Sequence, residues 1–120
     1  MSQTLFDLTG KLALITGSSR GIGLTIAKGL AEAGCAIAIN GIDEKRIKDT
    51  VASLEKDGVT CYSVPFDVRN ERVINEQVAY IENEIGNIDI LVNNAGIQIR
   101  APLEEFNSDD WQRLIDINLT

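Results

Sequence analysis

At 120 residues the chain fits one domain, long enough for a single buried core and too short for two. Hydrophobic residues make up 44% and charged residues 24%, a globular composition that excludes disordered and fibrous classes. The formal charge of −7, from 18 Asp and Glu against 11 Lys and Arg with no basic cluster, excludes a surface that tracks nucleic-acid phosphates.

Short apolar runs alternate with longer segments of helical period along the whole chain. Leu12-Ala13-Leu14-Ile15-Thr16 is apolar almost throughout, which predicts a strand buried on both faces. After a glycine-rich turn, Ile22, Ile26, Ala27 and Leu30 recur at helical spacing, and Gly34 supplies the helix stop. Ala36 to Asn40 predicts the second strand. Asp43 is placed to cap a helix whose apolar face is Ile47, Val51 and Leu54, closed by Gly58. Val59 to Val64 predicts the third strand, ended by Pro65. Ile74, Val78, Ile81 and Ile85 share one face of the next helix, which stops at Gly86. Ile88 to Val92 predicts the fourth strand, running into Asn93-Asn94-Ala95-Gly96. Ser108 can cap a last helix with Trp111, Leu114 and Ile115 on one face.

Strands alternating with helices at this spacing predict right-handed βαβ units and a parallel sheet covered on both sides. The expected fold class is α/β, a Rossmann-type doubly wound parallel sheet with strand order 3-2-1-4. It is expected to stop after the fourth strand and part of the following helix. Residues 1–120 then form the N-terminal portion of a longer single-domain enzyme. Cys35 and Cys61 have no partner at metal-ligand spacing and there is no His, so neither a metal site nor a disulfide is expected. Both are read as small buried hydrophobes. Residues 1–7 lack the basic and apolar regions of a secretory signal, and no run reaches membrane-span length, so a cytoplasmic protein is expected.

The chemistry concentrates in Thr16-Gly17-Ser18-Ser19-Arg20-Gly21-Ile22-Gly23, between the first strand and the first helix. A pyrophosphate needs backbone N–H donors at close range, and glycines allow that approach where a Cβ would collide. Gly17 permits the sharp turn, Gly21 brings the backbone near the phosphates, and Gly23 lets helix and strand pack closely. No Gly-Lys-Ser/Thr follows, which excludes an NTPase P-loop. The competing reading is a plain tight turn from strand to helix.

Thr16-Gly17-x-x-x-Gly21-Ile22-Gly23 followed by Asn93-Asn94-Ala95-Gly96 resembles the short-chain dehydrogenase/reductase family over the whole chain. Asp67-Val68 and Asn118 also fall where that family's pattern places them. Within the family, Leu91 to Phe106 is most similar to the gluconate 5-dehydrogenases. The resemblance implies an NAD(P)-dependent oxidoreductase that interconverts a secondary alcohol and a ketone, with gluconate and 5-ketogluconate as the first pair. A 3-oxoacyl-carrier-protein reductase-like enzyme and a non-catalytic nucleotide-binding fragment are the alternatives. It also implies a homo-oligomer.

By the same resemblance, Asp67 accepts a hydrogen bond from the adenine amino group, and the backbone of Val68 assists. Asn94, Ala95 and Gly96 line the cofactor cleft while Asn93 ties neighbouring strands. The backbone carbonyl of Asn118 holds a water in a catalytic proton relay. A solvated loop carboxylate at Asp67, a plain turn at 93–96 and an ordinary helix-end amide at Asn118 are the bland readings.

Cofactor choice turns on the end of the second strand, where Asn40-Gly41 puts glycine in place of an NAD-selecting Asp. Arg20 is a cation near the adenosine end, as in NADP-using relatives, unless it is only an exposed helix-end charge. NADP(H) is therefore favoured, with NAD(H) as the alternative because Asp43 could reach the ribose. Arg100 could pair with a sugar-acid carboxylate. The family's Ser and Tyr-x-x-x-Lys are missing. Tyr62 and Tyr80 are the only tyrosines, and neither has Lys four residues later, so residues 1–120 by themselves are expected to be inactive.

Overall fold

The computed structural model describes residues 7–67, 71–94 and 98–100. The apolar runs become the inner strands. β1 (Leu12–Ile15) is buried at every position and β2 (Ala36–Gly41) at all but its first, so both need cover on both faces. β3 (Cys61–Pro65) pairs parallel with β2, and β4 (Ile90–Asn93) pairs parallel with β1 on its other side. Ala13 lies between Ile37 and Ile90 in register, and Ile15 between Ile39 and Val92.

Among the described residues, three helices cover this sheet: α1 (Gly21–Glu32), α2 (Glu44–Lys56) and α3 (Glu71–Glu84). Strand residues alternate between the faces with period two, and the core divides accordingly. Ala13, Ile15, Ile37 and Ile39 pack with Ile26 and Leu30 of α1 and Ile47 of α2. Leu12, Leu14, Ala38 and Leu91 pack with Ile81 of α3 on the opposite face. Each fully buried aliphatic side chain contributes about 1.5–3 kcal/mol over leaving it in water.

The observed order is β3-β2-β1-β4-β5. The chain moves outward from β1 to β3, then returns to place β4 on β1's other side. This reversal opens a crevice at the carboxyl ends of β1 and β4. The expected order 3-2-1-4 is therefore present, with one addition. β5 (Gln98–Arg100) pairs antiparallel with β4, so the sheet does not end at the fourth strand. Three residues are too few for a period-two pattern to announce a strand.

Helix ends explain the shifted strand starts. The Val59 N–H donates to the Leu54 carbonyl and the Gly58 N–H to that of Glu55, closing α2 with Gly58 at φ +84°. Val59 thus belongs to the helix stop, and β3 begins at Cys61. The same pair of bonds closes α1, from Cys35 to Leu30 and from Gly34 to Ala31, with Gly34 at φ +106°. The Ile88 N–H is taken by the Glu82 carboxylate at 3.0 Å, and β4 begins at Ile90 rather than Ile88. β1 stops at Ile15, one residue before Thr16, and β2 runs one residue further, to Gly41, whose carbonyl accepts from the Phe66 N–H.

Ile22 corrects another expectation. It shares helical spacing with Ile26 and Leu30, yet it is 50% exposed because the first turn of α1 projects past the core towards the crevice. Cys35 and Cys61 are buried and free. No described helix is long and apolar enough to cross a membrane. The expected helix from Ser108 lies outside the described residues.

Candidate functional site

A cavity of about 440 Å³ opens at the carboxyl ends of the parallel strands. Thr16, Gly17, Ser19 and Arg20 form one wall, Asn40, Gly41 and Asp67 another, and Asn93 with Asn94 a third. The crevice thus gathers residues from four separate stretches of sequence.

Glycines set the shape of the turn from β1 to α1. Gly17 at φ +61° and Gly21 at φ +63° occupy left-handed backbone that a side chain strains. A Cβ on Gly23 would collide with the Gly17 carbonyl oxygen and stand 3.0 Å from Asn94 Nδ2, so the first turn of α1 lies directly against the loop. A Cβ on Gly21 would meet nothing within 4 Å, which leaves open space beside that backbone.

The two helix starts differ in a telling way. Asp43 caps α2 by accepting from the Arg46 N–H at 3.2 Å. At α1 the cap residue is Arg20, extended at φ −162°, whose side chain accepts nothing, and the first turn carries no acidic residue. The first N–H groups of α1, with the helix's partial positive charge, are left without an anionic partner from that turn.

Hydrogen bonds hold the turn from three sides. Asn40 is 2% exposed, and its Oδ1 accepts from the Gly17 N–H at 2.9 Å while its Nδ2 donates to the carbonyls of Val64 (3.0 Å) and Phe66 (3.2 Å). The Ser18 N–H donates to the Asn40 carbonyl at 2.8 Å, and the Asn40 N–H donates to Ser18 Oγ at 2.9 Å. Thr50 Oγ1, from α2, donates to the Ser19 carbonyl at 3.0 Å. On the β4 side, the Asn94 N–H donates to Thr16 Oγ1 at 2.9 Å, and Asn94 Nδ2 reaches the Gly17 carbonyl at 3.4 Å. Thr16, Ser18 and Asn40 are the buried polar residues of the described chain, and all three lie in this network.

The structure therefore brings together Thr16, Gly17, Ser19, Arg20, Asn40, Gly41, Asp67 and Asn94 around one crevice, with Ser18, Gly21, Ile22 and Gly23 in the same turn. Asn40 reaches the crevice edge with its side-chain amide already bonded to protein. Arg100 lies on β5, its Cα opposite Leu91 and so two residues back from the crevice end of β4. Val68, Ala95, Gly96 and Asn118 lie outside the described residues. Sequence reasoning missed Arg46, a second cation on the crevice wall, and the apolar Ile42, 73% exposed beside it. Arg46 was legible as the third residue after the Asp43 cap, on the first turn of α2. Thr50 was also missed, since a threonine mid-helix carries no signal of a distant carbonyl.

Burial pushes the Cys35 thiol up to about 12, with Asp89 adding to the rise and Lys11 opposing it. Cys61 is also raised, by burial first and then by Glu55. Neither lines the crevice, and both behave as core residues.

The residues present fit a dinucleotide. An uncapped helix start, a glycine with open space beside it and a guanidinium suit a phosphate, and the carboxylate of Asp67 at the strand edge suits a hydrogen-bond donor.

Comparison with known proteins agrees with that geometry. The family model described as short chain dehydrogenase matches residues 11–120. The gluconate 5-dehydrogenase of Gluconobacter oxydans is 47% identical over 115 residues, covering 96% of this chain and 45% of that protein. The 5-keto-D-gluconate 5-reductase of Escherichia coli K12 is 45% identical over 116 residues, covering 97% of this chain and 46% of that protein. Among solved structures, a gluconate 5-dehydrogenase from Burkholderia cenocepacia in complex with NADP and tartrate superposes with a TM-score of 0.69 at 47% identity. It covers 97% of this chain and 46% of that one. The chain spans about half the length of these relatives.

Proposed function

This chain belongs to the short-chain dehydrogenase family, and on that premise we propose that the complete protein is an NADP(H)-dependent oxidoreductase that interconverts a secondary alcohol and a ketone. The proposed pair is gluconate and 5-ketogluconate, the chemistry named for the relatives from Gluconobacter oxydans and Escherichia coli. The observation that carries the reading is the start of α1, uncapped and laid against a turn whose glycines leave room for a phosphate.

The nicotinamide supplies the hydride acceptor or donor. The chain's own residues do the holding. Ser19 to Gly23 present backbone N–H donors to the pyrophosphate while Asn40 holds the N–H groups of Gly17 and Ser18, and Asp67 at the end of β3 accepts from the adenine. Arg20 faces the adenosine end, where Gly41 adds no opposing charge. Arg100 pairs with the carboxylate of a sugar acid, and Asn118 serves the proton relay through its backbone carbonyl. Val68, Ala95 and Gly96 complete the cofactor contacts. The enzyme is a cytoplasmic homo-oligomer. Tyr62 and Tyr80 both lie outside the crevice lining, and neither begins a Tyr-x-x-x-Lys pair, so residues 1–120 alone turn over no substrate.

The test is cofactor preference in the complete protein. A 2′-phosphate carries about two negative charges, so removing a nearby guanidinium weakens it selectively. Arg20→Ala should cost about 1.5–3 kcal/mol in kcat/KM with NADP(H) and leave NAD(H) nearly unchanged. A parent that prefers NAD(H), or a variant that weakens both cofactors equally, overturns the assignment and points to Asp43.

A further inference from the structure

Asn40 lies among the residues around the proposed cofactor, yet its side chain is taken up by protein. Oδ1 holds the Gly17 amide at the start of the phosphate turn, and Nδ2 holds two carbonyls, Val64 and Phe66, at the end of β3. Both amide hydrogens and one lone pair are occupied inside the core. Its backbone adds two further bonds, both to Ser18. One residue thus bonds the turn that would meet the pyrophosphate and the strand end that leads into Asp67, which would meet the adenine.

We propose that Asn40 is a positioning residue that fixes the phosphate turn and the adenine edge as one preformed unit, so that a dinucleotide binds without ordering either part. This rests on the reading of the crevice as a dinucleotide site. Preforming both ends removes an ordering cost that binding would otherwise carry. A cross-strand amide is needed because the two sides have opposite requirements. The turn offers an N–H and needs an acceptor, while β3 offers carbonyls and needs a donor. Among side chains of this size, the carboxamide alone carries an acceptor and two donors at once.

Asn40→Asp separates the two halves. The shape is kept, and one carboxylate oxygen still accepts from Gly17. The other oxygen replaces Nδ2 and faces the carbonyls of Val64 and Phe66, where it repels them until the acid is protonated and donates to one. Asn40→Leu lacks both halves at any pH.

Isothermal titration calorimetry with NADP+ on the complete protein should show Asn40→Asp binding about 10–100-fold more weakly than the parent at pH 8. That ratio should close to within about threefold near pH 5, because burial against two carbonyls raises the added acid above the ordinary carboxylate range and it regains a donor there. Asn40→Leu should stay weak at both. Arg20, Asp43, Arg46 and Asp67 line the same crevice in every variant, so taking the ratio to the parent cancels their titration.

A purely structural Asn40 would lower the melting temperature yet leave the Kd ratio flat across pH, and that result overturns the proposal. Equal binding by parent and Asn40→Asp at pH 8 also overturns it. Should the variants fail to fold, hydrogen exchange on the ligand-free parent decides. Protection of the Gly17 amide supports the clamp, and exchange at the unprotected rate refutes it. A parent with a protected Gly17 amide that binds no dinucleotide would refute the functional reading instead.

Discussion

Gly23→Ala is the sharpest test of the phosphate turn, because two effects of known size oppose each other there. Alanine favours a helix over glycine by about 1 kcal/mol, so a simple view of α1 predicts stabilisation. The geometry predicts otherwise. The added methyl would collide with the Gly17 carbonyl oxygen, stand 2.9 Å from the Gly17 carbonyl carbon and 3.0 Å from Asn94 Nδ2. Asn94 can swing away, since its bond to Gly17 is long at 3.4 Å. The Gly17 carbonyl cannot, because the N–H groups on either side of that peptide, Gly17 and Ser18, are both bonded to Asn40. Overpacking against fixed backbone costs about 1–3 kcal/mol, which exceeds the helix gain and leaves a net loss of roughly 1 kcal/mol. Affinity should suffer more than stability. Displacing one charge-assisted donor costs about 1.5–3 kcal/mol, or roughly 10- to 150-fold in Kd. Urea unfolding gives the first quantity and calorimetry with NADP+ the second. Gly58→Ala is the control, with φ +84° and nothing within 4 Å of its Cβ. It should lose about 1–2 kcal/mol through backbone strain alone and bind normally. If Gly23→Ala is as stable as the parent and binds as tightly, the tight contact between turn and helix is not what that glycine serves.

Gly41→Asp should move the kcat/KM preference of the complete protein towards NAD(H) by adding a ribose acceptor and a charge that repels a 2′-phosphate. Its Cβ would stand 2.9 Å from Ser19 Oγ, a hydroxyl that can rotate, so a stability loss of about 1 kcal/mol is expected, and an unchanged cofactor ratio would count against the site. Cys35, raised from the ordinary 9.0 to about 12 chiefly by burial, should resist iodoacetamide at pH 8 in the folded protein and react on unfolding. A raised folded value means that its contribution is intact below 9 and is lost as pH climbs from 9 towards 12, by up to about 1.4 kcal/mol per pH unit. Rapid native alkylation, or stability that is flat across that window, would contradict the burial.

The sequence foretold most where a single physical demand leaves one kind of residue. Strands covered on both faces must be apolar throughout, and Leu12 to Ile15 could hardly be anything else. A turn at positive φ against a helix needs glycine, which made Gly17, Gly21 and Gly23 readable as a set. Legibility fell where the demand comes from backbone elsewhere. β3 exposes Tyr62 and Ser63, neighbours on opposite faces of the strand, so its limits had no continuous pattern to mark them. β5 needed only the free edge of β4, and any short extended segment can meet that need. Ile22 kept helical spacing with the core while lying one turn beyond it, because periodicity records direction around a helix and not distance along it.

Asn40 shows why the site was harder to read than the fold. An amide at the end of a parallel strand near a glycine turn invites a ligand role, and the residue does line the crevice. What decides its function is the set of atoms it meets, the Gly17 N–H and the carbonyls of Val64 and Phe66. Every one of these belongs to the backbone, which has the same donor and acceptor in nearly any sequence. Residues that recognise a ligand and residues that hold the recogniser in place can thus share one position and one side chain. Only the partner atoms tell them apart. The same ambiguity applies to Thr50, whose hydroxyl reaches the Ser19 carbonyl from the middle of α2. Arg20 and Arg46 are the opposite case, since both line the crevice and carry a charge that suits a phosphate. For such residues charge and position suffice, and the sequence reached one of the two by the glycine motif alone.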